Sequence, residues 1–69
     1  MYQTFVWDDT YAIACALKKD HPDVELEEVT LSMIYHWTVA LDNFIDDPEL
    51  GNDAILTEIL QEWLEEEDN

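Results

Sequence analysis

The sequence predicts an all-α fold: a small, compact three-helix domain with short irregular connections. Three observations predict it. One Gly and two Pro in 69 residues leave the chain poor in turn formers, which favours a few helices over many short strands. Apolar residues recur at helical spacing in three separate segments. Trp7, Trp37 and Trp63 each bring a large area to bury. A core this small needs them, because a chain of this length hides only about 60% of the surface its unfolded form exposes. Residues 1–69 therefore read as a single domain, with no repeat or linker and no room for a large active-site cavity.

The first helix is expected from about Asp9 to Lys19. Asp8-Asp9-Thr10 offers carboxylates to the free N–H groups at its start. Ile13, Ala16 and Leu17 supply its inner face, and small Ala12, Ala14 and Cys15 let a neighbouring helix approach. Lys18 and Lys19 fall in the last turn, where positive charge suits the helix dipole, and are the only basic side chains available to any acidic contact. Pro22 ends the helix, since the residue before a proline is pushed out of the helical region. Asp23 to Leu31 reads as one helical turn followed by an extended connection. The second helix covers about Met33 to Asp42, with Ser32 as N-cap and Ile34, Trp37 and Leu41 on one face. Phe44 is expected to fold back beneath it. Gly51-Asn52-Asp53 is the clearest boundary: Asn52 is a good N-cap, and Ile55, Leu56, Ile59, Leu60, Trp63 and Leu64 form the inner stripe of the third helix. Its outer face carries Glu58, Glu62, Glu65 and Glu66, and like charges four apart cost about 0.2–0.5 kcal/mol a pair. Tertiary contacts must offset that. The tail Glu67-Asp68-Asn69 is expected to fray.

Charge dominates the composition, with 18 Asp and Glu against two Lys and a net charge of -16. Nucleic-acid binding draws affinity from Lys and Arg displacing counterions at phosphates, so DNA and RNA are discarded as partners. An anionic membrane surface is disfavoured for the same reason, and no apolar run approaches the roughly 20 residues of a spanning helix. One cysteine, Cys15, excludes an internal disulfide and a thiolate metal site within one chain. The start at Met1 to Val6 has no signal-peptide character, so a reducing cytoplasm is expected.

The acidic run Asp46-Asp47-Pro48-Glu49, preceded by Asp42 and followed by Asp53, is the candidate site. Carboxylate oxygens suit Mg, Ca, Mn or iron, and without thiolates or paired His such a site is weak and exchangeable. The bland reading is a solvated turn; the spacing is not that of an EF-hand, because the Gly falls late. His21 and His36 are too far apart to ligate as a helical pair, and His36 reads as a surface residue. Cys15, among small apolar neighbours, reads as a buried packing residue rather than a nucleophile. Trp7, Trp37, Trp63 and Phe44 read as core. Acid–base catalysis needs a buried carboxyl in a cleft, which so short a chain hardly offers, so binding is the expected class and not enzymatic turnover.

Trp7-Asp8-Asp9, Ala16-Leu17, His21-Pro22-Asp23, Val29, Trp37, Leu41 through Pro48, Asn52, Ile55-Leu56, Ile59-Leu60 and Trp63-Leu64 together resemble the IscX family of small acidic iron-sulfur cluster assembly proteins. The likeness runs from about Val6 to Glu66, and Phe44-Ile45-Asp46-Asp47-Pro48 with Trp63-Leu64 are its most specific parts. It implies a helical fold related to the winged helix and a bacterial cytoplasmic setting. The partner it implies is a cysteine desulfurase, which the acidic surface docks on a basic groove shared with ferredoxin and frataxin. It further implies weak iron binding and a role as iron-responsive regulator or adaptor. The chain departs from the family pattern where Met33, Ala40 and Ile45 stand at commonly acidic positions and Asn43 replaces a further acid. The central acidic patch is thinner as a result, and α-helical carboxylates at Glu58, Glu62, Glu65 and Glu66 add charge elsewhere.

The leading expectation is a noncatalytic, monomeric acidic adaptor that binds a cysteine desulfurase and modulates sulfur transfer. Asp42, Asp46, Asp47 and Glu49 are its contact residues, with Glu62, Glu65 and Glu66 in a second tier, and the first four are the carboxylates that hold iron weakly. No tightly bound cofactor is expected. The alternatives are an iron carrier that donates to cluster assembly and an acidic nucleic-acid mimic that blocks a DNA-binding protein. An acyl-carrier role is disfavoured, because Ser32 follows Leu31 and lacks an Asp-Ser-Leu setting.

Overall fold

The computed structural model describes residues 3–67. Three helices form in the expected order, α1 Thr10–Asp20, α2 Leu31–Val39 and α3 Asp53–Glu67, with single 3-10 turns at Leu26–Glu28 and Pro48–Leu50. The first of these turns and the extended Val29 and Thr30 after it match the expected connection.

Local chemistry sets each boundary. Asp9 stands at the N-cap of α1 but makes no side-chain cap bond there. Its Oδ2 instead accepts from the N–H of Val6 at 3.2 Å, closing the turn that leads into the helix. At the other end the His21 N–H donates to the Leu17 carbonyl at 2.8 Å, and the helix stops ahead of Pro22. Ile13, Ala14 and Leu17 are the buried residues of α1; Ala16, expected inside, is half-buried.

Helix α2 starts earlier than expected. Thr30 is its N-cap, with Oγ1 accepting from the Met33 N–H at 3.2 Å, while Ser32 sits exposed within the first turn. Two good capping residues stand two positions apart, and the one preceded by extended backbone takes the role. The buried face is Ile34 with Thr38, four residues on, whereas Trp37 and Leu41 are half-buried and Leu41 lies past the end of the helix. Thr38 is tolerated inside because its hydroxyl donates to the Ile34 carbonyl at 2.7 Å.

Helix α3 forms where its boundary signals place it. Asn52 Oδ1 accepts from the Ile55 N–H at 3.0 Å, and Leu56, Ile59 and Trp63 are buried. Leu64, expected on the inner stripe, is exposed. Of the tail expected to fray, Glu67 still belongs to α3, and Asp68 and Asn69 lie outside the described residues.

Helix α1 rests chiefly on α3, and α2 on α3, so α3 is the common support. One core cluster joins Phe5, Trp7, Val29 and the buried faces of all three helices. The radius of gyration of the chain, 11.1 Å, is close to the value of about 11 Å expected for a compact protein of this size. A winged helix would add a β-hairpin; among the described residues the only β pairing is an isolated parallel bridge between Phe5 and Phe44. The Phe5 N–H donates to the Asn43 carbonyl at 2.9 Å and the Ile45 N–H to the Phe5 carbonyl at 3.0 Å. That bridge ties the N-terminal segment to the acidic turn.

Candidate functional site

The segment from Asn43 to Gly51 is organised by Trp7. The indole is almost fully buried, stacks on Tyr35 with ring centroids 5.9 Å apart, and meets Phe44 edge-on at 4.9 Å. Its Nε1–H donates to the Asp47 carbonyl at 2.8 Å, giving a buried indole the acceptor it requires. Its backbone N–H donates to Asp46 Oδ2 at 3.0 Å, while Asp46 Oδ1 accepts from the Asp47 N–H at 2.8 Å. Asp47 Oδ1 in turn accepts from the Glu49 N–H at 2.9 Å and caps the 3-10 turn that Pro48 opens. Phe44, expected to fold back beneath α2, is half-buried against the core cluster and meets the Trp7 ring.

These bonds sort the carboxylates named from the sequence. Asp46 is half-buried, and each of its oxygens already accepts a backbone N–H, so it holds the turn in shape. Asp42, Asp47 and Glu49 are exposed. Asp47 keeps Oδ2 for an outside group, and Glu49 uses only its backbone in the turn.

The second tier lies at the other end of α3. Glu65 follows Asp53 by twelve residues, about 18 Å along the axis, so Glu62, Glu65 and Glu66 form a separate pole from the turn that precedes α3. Glu65 is exposed; Glu62 and Glu66 are half-buried. Glu66 accepts a short hydrogen bond from the Tyr11 hydroxyl, and its carbonyl accepts from Lys18 Nζ at 3.5 Å. The bond to Glu66, followed by the influence of Cys15, holds the Tyr11 hydroxyl well above the usual phenol range. The last turn of α3 has no basic residue of its own, so α1 supplies the positive charge for that helix end.

Sequence reasoning had no means to pair Tyr11 with Glu66 or Trp7 with Asp46, because those partners stand 55 and 39 residues apart. The spacing of Trp7 and the acidic run carried no periodic signal linking them.

Elsewhere the molecule has a surface depression of about 470 Å³ along α1, lined by Phe5, Tyr11, Cys15, Ala16, Lys19 and Leu41 among others. Cys15 is half-buried there, not sealed in the core as expected, because the buried row of α1 runs through Ile13, Ala14 and Leu17. His36 is exposed, as expected for a surface residue. His21 stacks on Trp37 at 4.0 Å with the rings 21° apart and covers one face of that half-buried indole.

For a metal ion the arrangement is not prepared. Among the described residues no three His, Cys, Asp or Glu side chains converge, and Asp46 is committed to backbone donors. Among the same residues no helix is long and apolar enough to cross a membrane. What the turn does offer is exposed negative charge on a backbone fixed by hydrogen bonds.

Comparison with known proteins accords with the residues that carry the resemblance. A family model described as iron-sulphur cluster assembly matches residues 5–68. An uncharacterised protein of Pseudomonas aeruginosa is 34% identical over 62 residues, which cover 90% of this chain and 94% of that protein. With nearly its whole length matched, from the bridge at Phe5 to the end of α3, the chain belongs to the IscX family of iron-sulphur cluster assembly proteins.

Proposed function

We propose that this protein is a noncatalytic, monomeric acidic adaptor of iron-sulfur cluster assembly in the cytoplasm, which binds a cysteine desulfurase and modulates the sulfur it delivers. The observation that carries the reading is the turn itself: Asp47 and Glu49 stand exposed on backbone pinned by Trp7, in a chain of net charge -16. A negative surface of fixed shape associates fast with a positive groove, and salt weakens the encounter. Ferredoxin and frataxin compete for the same groove in this reading. Iron binding is weak and secondary, through exposed carboxylates that share an ion transiently.

The test is a titration against a purified cysteine desulfurase at two salt concentrations, with the natural chain and with a variant carrying Asp47→Lys and Glu49→Lys. The variant should associate more slowly and depend less on salt. Equal affinity of the two proteins at low salt would remove the turn from the interface. Asp46 is left untouched, because reversing it would disturb the turn before any partner arrived. A calorimetric titration with ferrous ion should show no tight site; a saturable site at low micromolar concentration would favour the carrier over the adaptor.

A further inference from the structure

The turn carries an apolar feature that electrostatic docking does not account for. Ile45 is 65% exposed and Leu50 58%, more than any other large aliphatic side chain among the described residues. Single exposed aliphatic residues are ordinary on a protein surface. These two stand five residues apart and bracket Asp46, Asp47 and Glu49 on one short segment. Their backbone is fixed: the Ile45 N–H donates to the Phe5 carbonyl and the Leu50 N–H to the Asp47 carbonyl, both at 3.0 Å, and Gly51 lies against the Trp7 ring. Both side chains are thus exposed on hydrogen-bonded backbone. A binding surface gains from that, because less backbone freedom remains to be lost on association.

We propose that Ile45 and Leu50 are the apolar anchors of the docking surface, seated in an apolar cleft of a protein partner whose edge carries Lys or Arg side chains to meet Asp47 and Glu49. The proposal rests on the adaptor reading and adds a contact that salt does not screen. Charge selects the occupant. A second copy would bring another -16 to the contact and only two lysines, of which Lys18 already reaches the end of α3. Anionic lipid and nucleic acid are repelled in the same way. A cationic protein surface that also offers apolar contact matches both the carboxylates of the turn and the aliphatic side chains that flank them.

The experiment compares the natural chain with Ile45→Ser, Leu50→Ser and the double variant, titrated against a cysteine desulfurase at low and at physiological salt, with thermal unfolding and sedimentation measured alongside. The double variant should bind about tenfold more weakly at both salt concentrations, with the salt dependence of the natural chain retained. Its unfolding temperature should be unchanged, since both side chains are exposed. If Ile45→Ser lowers that temperature, Ile45→Thr, which keeps the branched β-carbon, takes its place. Equal affinity of the natural chain and the double variant would overturn the anchors and leave the adaptor reading intact. Absence of binding by the natural chain at low salt would overturn both. Self-association of the natural chain that the double variant abolishes would assign the face to a second copy and overturn the proposal as well.

Discussion

At Gly51 the backbone has φ -67°, open to any residue, so conformational freedom is not why a glycine stands there. Space is the reason. A Cβ built at this position would lie 2.6 Å from Cζ2 of Trp7 and 2.9 Å from Cη2, inside contact distance of a ring that cannot move away. The ring is fixed by its Nε1–H bond to Asp47, by Tyr35 and by Phe44. Gly51→Ala should therefore destabilise the protein by about 1–3 kcal/mol, the usual cost of overfilling a closed contact. Urea unfolding followed by tryptophan fluorescence would measure it, and a change below about 0.5 kcal/mol would show that the Trp7 support is softer than its hydrogen bonds indicate. The same residue shows why Asp46 and Asp47 differ despite adjacent positions and identical chemistry. Asp46 faces the Trp7 backbone, whereas Asp47 presents its carbonyl to the indole and its carboxylate to the next turn.

Among the elements, those with a clear local start signal and a periodic apolar stripe were legible, and features decided by distant contacts were not. Helix α3 combined a side-chain cap at Asn52 with a repeating apolar stripe, and it formed at the expected start. Helix α2 offered two capping residues, and the choice of Thr30 over Ser32 depended on the extended backbone leading in from Val29. That choice gives a discriminating test. Thr30→Ala removes the acceptor for the Met33 N–H and should cost about 1 kcal/mol, while Ser32→Ala, at an exposed position inside the first turn, should change stability by less than about 0.5 kcal/mol. Chemical denaturation of the two variants beside the natural chain checks it; a larger loss for Ser32→Ala would restore Ser32 as the cap. The candidate site divides likewise. Exposure of Asp47 and Glu49 was readable from composition and the proline-bounded turn, but the half-burial of Asp46 and the attachment of the run to Phe5 and Trp7 are nonlocal contacts for which no spacing rule exists.

For the molecule as a whole, the decisive comparison is between its size and the range of electrostatics. The body measures 29 by 28 by 16 Å and carries a net charge of -16. At an ionic strength of about 0.01 M the screening length is about 30 Å, so every carboxylate repels every other across the full width of the protein. At about 0.15 M it falls to about 8 Å, and only neighbours on the same helix face or turn still interact. Folding brings these charges together, so self-repulsion opposes the compact state and should be relieved by salt. Docking on a cationic partner brings opposite charges together, so the same salt should weaken it. The two responses should therefore have opposite sign: between these ionic strengths the unfolding temperature should rise, while affinity for a cysteine desulfurase, the partner proposed above, should fall. Paired measurements on one preparation, thermal unfolding by circular dichroism and binding by titration, check both at once. An unfolding temperature independent of salt would mean that the carboxylates are spaced widely enough on this surface to ignore one another. A dense negative face would then not be what the fold of α1, α2 and α3 is built to display.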